Sequence, residues 1–222
     1  MVPNGYLNNA FNRFVNLDNI EWNIVNHLLH SESKYAEYLW KILKYDTEDC
    51  LSKPNLTIDQ KKDLIYTNNG DASIKRVFLS PYIDDAWVVQ SSHLHIYVGP
   101  IIPKNHITST VNIMVETITH NKISNIYGDA DFANLDTNPS EIDSNGEPTV
   151  PLKSRASVML KCMLAELNGL FVNGVGVLQV NTELSPYCGV KEYVWNNRKF
   201  YGHRTVFATL LSGESVDSRC GY

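Results

Sequence analysis

The sequence predicts an α+β fold: an antiparallel sheet with two long strands covered by one main helix, preceded by an N-terminal helical subregion. Apolar residues recur at helical spacing before residue 75, two segments between residues 87 and 116 alternate apolar and polar positions, and a broad helical apolar face resumes at Leu152. This order of elements is typical of the α+β class. We therefore predict a helical subregion at residues 1–74 and an α+β core at residues 75–222.

The first helix is predicted over residues 17–30, with Asp18 or Asn16 as its cap. A second is predicted over residues 33–44, and the short break between them favours a helical hairpin. A third helix begins at Thr57, because Thr57 and Gln60 form a capping box, and it runs to about Tyr66.

The strand region begins after Lys75 with a short strand at 76–80 and a long one at 87–98. Along the long strand one face carries Val88, Leu94, Ile96 and Val98, and the other carries Ser91, His93, His95 and Tyr97. Gly99-Pro100 is predicted to end it. A second long strand follows, with Ile107, Val111, Ile113 and Val115 opposite Thr108, Thr110, Asn112 and Glu116, and we predict an antiparallel hairpin. Strands of roughly 40 Å exceed what a compact core requires, which indicates a sheet that extends into an assembly.

The C-terminal part is predicted to hold a helix, a strand and a hairpin. The helix begins at Leu152 and ends at Asn168-Gly169, with its apolar face towards the sheet. A glycine-punctuated strand covers residues 174–180. Residues 190–195 and 199–211 form a hairpin around the turn Asn196-Asn197.

A long acidic loop is predicted at residues 124–151, where no clear periodicity is present. It contains no lysine or arginine. Its acidic residues are Asp129, Asp131, Asp136, Glu141, Asp143 and Glu147.

Composition and charge exclude several classes of function. The 222 residues carry 19 basic and 24 acidic side chains and a formal net charge of −5, without the clustered basic face that non-specific nucleic-acid binding requires. The apolar runs are far shorter than the ~20 residues of a membrane helix. No signal-peptide pattern is recognised, so we expect synthesis in a reducing cytoplasm. The widely spaced Cys50, Cys162, Cys188 and Cys220 are expected to be structural thiols, with a metal or redox role as the alternative.

Histidines offer the main candidate chemistry. His93 and His95 share one strand face, and His106 and His120 are possible further ligands of a metal. The alternative is two exposed histidines on a sheet face without a metal. Asp84-Asp85 and Asp129-x-Asp131 do not fit the spacing of a calcium loop, and neither a GxSxG elbow nor a Cys–His signature is present. We therefore predict no catalytic residue, no metal site and no cofactor.

Several short segments resemble neck proteins of tailed bacteriophages, the connector, tail-terminator or tail-completion subunits that join a DNA-filled head to the tail. The resemblance spans about residues 45–211 and rests on residues 49–57 (DCLSKPNLT), 76–81 (RVFLSP) with 84–86 (DDA), 94–100 (LHIYVGP), the run from 159–161 (MLK) to 167–169 (LNG), the strand predicted after that run, and 199–202 (KFYG).

The resemblance implies a structural virion protein without enzymatic activity or cofactor, assembled in the host cytoplasm, with residues 75–222 as its ring-forming core. Its partners would be copies of itself in a sixfold or twelvefold ring, neighbouring portal, connector or tail proteins, and DNA that passes through the lumen without specific binding. The acidic loop would face the lumen, where its charge repels DNA, or would contact a neighbouring protein. Two other functions stay open: a small metal-dependent enzyme using His93 and His95, and a monomeric adaptor.

Overall fold

The computed structural model describes residues 17–68, 71–81, 89–104, 108–127, 152–181, 191–192 and 199–212. The α-helices within these ranges are α1 (Ile20–His30), α2 (Lys34–Lys44), α3 (Ile58–Asp63) and α4 (Arg155–Leu167). The strands are β1 (Val77–Phe78), β2 (Ser92–Pro103), β3 (Thr108–His120), β4 (Asn125–Tyr127), β5 (Leu152–Ser154), β6 (Phe171–Val172), β7 (Gly176–Val177), β8 (Gln179–Val180), β9 (Lys191–Glu192) and β10 (Phe200–Ser212).

The main sheet has the strand order β1-β2-β3-β10-β8, and β9 also pairs with β10. The predicted hairpin of two long strands is confirmed by the antiparallel pairing of β2 with β3. β10 pairs with β3 over the whole length of both strands, so three long strands form the centre of the sheet. The short edge strand β1 runs parallel to β2, and the other pairings of this sheet are antiparallel. The predicted α+β class is confirmed.

The expectation that Gly99-Pro100 ends the first long strand is wrong. β2 continues to Pro103 because its register against β3 shifts between Val98 and Ile101. Such a bulge lets one strand accommodate an extra residue without losing its partner. The beginning of the strand also differs, since β2 starts at Ser92 and residues 89–91 are not part of it. Val88 and Ile107, which the alternation assigned to the buried face, lie outside the described residues.

Side-chain caps begin two of the four α-helices that the structure describes; at α4 the Ser154 side chain makes no capping hydrogen bond. Thr57 and Gln60 form the predicted capping box of α3, although this helix ends at Asp63 rather than near Tyr66. The Ser33 hydroxyl accepts a hydrogen bond from the Ala36 N–H at the start of α2. At α1 the predicted cap is wrong: a 3₁₀ turn precedes the helix, and Asn19 stands at the cap position, where its side chain makes no hydrogen bond that caps the helix.

One hydrophobic core joins the helices to the sheet. Apolar side chains of β2, β3 and β10 face a layer that α1, α2 and α4 build together, so α4 is not the sole cover of this face. The two helices of the predicted hairpin, α1 and α2, contact each other through a hydrogen bond from the Trp40 indole N–H to the Leu28 carbonyl at 2.9 Å. However, α2 packs most extensively on α4. The boundary between residues 74 and 75 stays a prediction.

The region after residue 151 corrects two sequence expectations. Leu152 does not begin the helix; it lies in β5 with 46% of its surface exposed, and α4 begins at Arg155. The glycine-punctuated strand is instead a tight β6–β7 hairpin followed by β8. Gly174 and Gly176 adopt φ values of +75° and +98°, which only glycine adopts readily. The predicted pairing of residues 190–195 with 199–211 is confirmed by β9 and β10. The turn Asn196-Asn197 lies outside the described residues.

A fully buried arginine ties α4 to the end of α2. The Arg155 guanidinium donates to the carbonyls of Ile42 at 3.1 Å, Tyr45 at 2.8 Å and Thr47 at 2.6 Å. Burial lowers its pKa, although the nearby acidic groups oppose this effect. The carbonyls at the end of a helix have no partners within the helix, and Arg155 supplies donors to this region.

Candidate interaction surface

The structure contradicts the expectation that His93 and His95 are exposed. Both are fully buried on the sheet face opposite α4. The Phe78 ring lies over both imidazoles, with centroid distances of 5.6 Å to His93 and 4.9 Å to His95. His93 Nε2 is 2.5 Å from the Ser91 hydroxyl, and His95 Nδ1 is 2.8 Å from the Ser80 carbonyl oxygen. The alternating pattern did not reveal that residues around β1 cover this second face.

These contacts give both histidines a packing role and lower their pKa values. Burial is the main cause in each case; the neighbouring His95 lowers the pKa of His93 further, whereas the hydrogen bond to Ser80 opposes the shift in His95. A neutral imidazole inside an aromatic cluster needs no metal to account for its position.

His120, one of the two further histidines considered as possible ligands, does not join this pair. His120 stands at the end of β3, edge-on to the Phe200 ring at 4.9 Å, and its Nδ1 accepts from the Lys122 N–H. His106 lies outside the described residues. Across the described part of the chain, no group of three or more histidine, cysteine, aspartate or glutamate side chains is placed to hold a metal ion. Cys50 and Cys162 are buried free thiols, and burial raises their pKa values to about 11 and about 12. Cys188 and Cys220 lie outside the described residues.

A cross-strand ionic network connects the three long strands. Glu116 stands opposite His95 on β2 and opposite Arg204 on β10. Its Oε1 accepts from the Tyr97 hydroxyl at 2.8 Å and from Arg204 Nε at 2.6 Å. Burial and the Glu116 carboxylate raise the pKa of Tyr97. These contacts favour the observed register of β2, β3 and β10. The network was missed because nothing in the sequence alone places Arg204 opposite Glu116.

The acidic loop has a firmly built base. The six predicted acidic residues (Asp129, Asp131, Asp136, Glu141, Asp143 and Glu147) lie outside the described residues. The predicted loop starts too early at residue 124, because residues 125–127 form β4, which pairs with β5 and places Tyr127 opposite Leu152. The Tyr127 N–H donates to the Glu48 carbonyl at 2.8 Å, and the Arg155 N–H donates to the Ser124 carbonyl at 2.8 Å. The two ends of the loop are therefore held side by side on the body of the protein.

An exposed apolar row lies at the far end of the long strands. Ile102 of β2 and Leu210 of β10 flank Thr110 of β3. Ile102 is 38% exposed and Leu210 is 67% exposed. We call Ile102, Thr110 and Leu210 the strand-end surface. Larger exposed apolar patches mark binding surfaces; here Thr110 separates the two apolar side chains.

A second exposed apolar group lies on the β6–β7 hairpin. Phe171 is 68% exposed and stands directly opposite Val177, which is 48% exposed. Leu170 beside them is 44% exposed. We call these three residues the hairpin surface. In contrast, the inward-facing Val172 and Val175 of the same hairpin are buried in the core.

The described residues define an α+β protein with a well-packed core and two groups of exposed apolar side chains. None of the helices that the structure describes is long and apolar enough to span a membrane. A family model described as YomW matches residues 36–144, just under half of the chain. This match covers α2, α3, β1–β4 and much of the acidic loop. The family name is phage-derived, which indicates a phage-associated protein. No curated protein and no solved structure matches the chain.

Proposed function

We propose that the protein is a structural virion protein, a subunit of a homo-oligomeric ring in the phage neck that joins the portal or head to the tail and lines the DNA passage. The phage-derived family match supports the phage origin. The observation that carries the ring is the strand-end surface, where Ile102 and Leu210 stay exposed at the end of strands of 12 and 13 residues.

Two different apolar surfaces on one chain suit a ring. In a closed ring each subunit contacts its neighbour head to tail, so one surface of a subunit meets a different surface of the next. The strand-end surface and the hairpin surface are such a pair. In this proposal Leu210 packs against the neighbour's surface, where its burial excludes water from an apolar contact.

The acidic loop would serve the passage of DNA. It holds six acidic residues and no basic one, whereas the rest of the chain has 19 basic and 18 acidic side chains. The negative charge of the protein is therefore concentrated in this loop. Facing the lumen, it would repel DNA phosphates and prevent sticking. The alternative, contact with a neighbouring neck or tail protein, is distinguished by the position of the loop in an assembled particle.

The experiment compares two aspartate substitutions in the encoding phage. Leu210→Asp places a charge on the strand-end surface, whereas Ile74→Asp places one on an isoleucine that is 61% exposed elsewhere. We expect Leu210→Asp to reduce the number of tailed, infectious particles and Ile74→Asp to leave it unchanged. Cryo-electron microscopy of wild-type particles should show the chain in a sixfold or twelvefold ring at the neck. Absence of the chain from virions, or equal effects of the two substitutions, would contradict the proposal.

The two alternative functions make different predictions. A metal-dependent enzyme would contain stoichiometric metal that His93→Ala removes. A monomeric adaptor would bind one partner without self-association, and light scattering of the protein with and without neck partners would reveal it.

A further inference from the structure

A polar cleft lies between the second half of α1 and the β6–β7 turn. Its volume is about 290 Å³, near the lower limit for pockets that bind small molecules. The lining residues are Asn23, Asn26, His27, His30, Ser31 and Asn173. Three amides, two imidazoles and one hydroxyl thus line the cleft, and the described lining contains no acidic side chain, lysine or arginine. Most ligand pockets are predominantly apolar, so this lining favours an unusually polar ligand.

A buried carboxylate fixes one wall of the cleft. Glu166 of α4 is 3% exposed and accepts hydrogen bonds from the Ser31 and Ser33 hydroxyls, the former at 2.8 Å. The Ser31 hydroxyl donates to Glu166, and its oxygen accepts from the Ser33 N–H at 3.3 Å, which leaves one lone pair to accept a bond from a ligand. His27 Nε2 lies 3.9 Å from Glu166 Oε2 and has no hydrogen-bond partner, although this atom is shielded from solvent.

A glycine turn fixes the opposite wall. Gly174 has a φ of +75°, and a Cβ atom at this position would overlap Nδ2 of Asn23. The Asn23 amide therefore packs directly on the backbone of the turn. Asn173, the preceding residue of the same turn, also lines the cleft. The placement of both amides thus depends on a backbone conformation that glycine permits.

We propose that this cleft binds a neutral pyranose, a single sugar unit with vicinal hydroxyl groups. Each hydroxyl of a sugar both donates and accepts, and so does each asparagine side chain. A lining of amides and imidazoles therefore complements a diol better than a purely anionic or cationic group. The buried Glu166 charge disfavours anions. Trp22 lies outside the cleft lining; it is 44% exposed one turn before Asn26 on the same side of α1. In this proposal its ring contacts the C–H groups of a sugar that extends beyond the cleft.

Saturation-transfer NMR on the full chain tests the proposal. The probes are the methyl glycosides of glucose, galactose and N-acetylglucosamine, with inorganic phosphate as the anionic comparison. We expect one pyranose to bind with a dissociation constant on the order of 1 mM. The double substitution Asn26→Ala with Asn173→Ala should weaken that binding at least about tenfold, since these exposed amides supply contacts but no packing.

The matched control is Asn55→Ala, an exposed asparagine far from the cleft lining. It should bind the sugar as the wild type does, and circular dichroism should show every variant folded. Three results would overturn the proposal: no transfer to any of the glycosides, equal binding by the double variant, or phosphate binding tighter than any sugar. The test does not involve assembly, so its failure leaves the neck-ring proposal unaffected.

Discussion

Replacing Arg155 with methionine tests the inference that one buried side chain connects α4 to α2. Methionine retains most of the apolar stem but removes donors to the carbonyls of Ile42, Tyr45 and Thr47. A hydrogen bond from a charged donor contributes about 1.5–3 kcal/mol. The three bonds share one group and do not add fully, and the exposed Thr47 can turn to water. Removing a buried charge also returns part of its desolvation cost. We therefore expect a loss of about 3 kcal/mol in the free energy of unfolding.

Equilibrium urea unfolding measures this loss. The urea concentration at the midpoint should fall, while the dependence of the unfolding free energy on urea concentration should stay the same. Arg155→Lys should be intermediate because lysine keeps the charge but brings a single nitrogen to carbonyls that Arg155 reaches with two. Lys44→Met, an exposed change at the end of α2, should stay within about 0.5 kcal/mol of the wild type. The reasoning is refuted if Arg155→Met lies within about 1 kcal/mol of the wild type, because the carbonyls would then have found other donors.

Two further predictions concern the sheet. Burial lowers the pKa of His93 and of His95. Below about pH 6.5 the unfolded chain therefore binds protons on these two histidines that the folded chain does not bind. Stability should be full above this pH and fall by up to about 1.4 kcal/mol per pH unit for each histidine below it. Urea midpoints measured from about pH 7.5 to 5.5 check this. The control His30→Gln changes an exposed histidine and should leave the dependence of the midpoint on pH as in the wild type. A wild-type midpoint that does not change with pH would contradict the burial of the two histidines. A Cβ atom at Gly202 would overlap the backbone of β3, whereas Gly169 has open space but a φ of +81°. Gly202→Ala should therefore lower the free energy of unfolding by about 3 kcal/mol and Gly169→Ala by about 1 kcal/mol. Equal losses of stability in thermal unfolding would contradict this, because they would show that β3 and β10 separate easily to make room for the added methyl group.

Local signals in the sequence predicted much of the architecture. The capping box of Thr57 and Gln60 is confirmed because it involves groups within one helical turn. The β2–β3 hairpin is confirmed because alternation along both strands reflects one buried face. Predictions that depended on residues distant in the chain were wrong. The alternating pattern identified the strand of His93 and His95 correctly, but it could not show that Phe78 covers these two side chains.

The polar cleft is also formed by residues that are distant in the chain. The uncharged face of α1, with Asn23, Asn26, His27 and His30, is visible in the sequence at helical spacing. Asn173 lies far along the chain, in the β6–β7 turn, just before the strand predicted at residues 174–180. The cleft exists only because α1 and the β6–β7 turn pack side by side.

The sequence by itself determined the α+β class, the main helices and the two long strands, since hydrophobic periodicity and capping act between residues close in the chain. It also determined that the acidic charge is concentrated between residues 124 and 151. Only the tertiary structure decided that Arg204 meets Glu116, that Arg155 reaches the end of α2, and that Glu166 lies behind a cleft. These pairings depend on strand register and helix packing, which the combined burial of the whole core fixes.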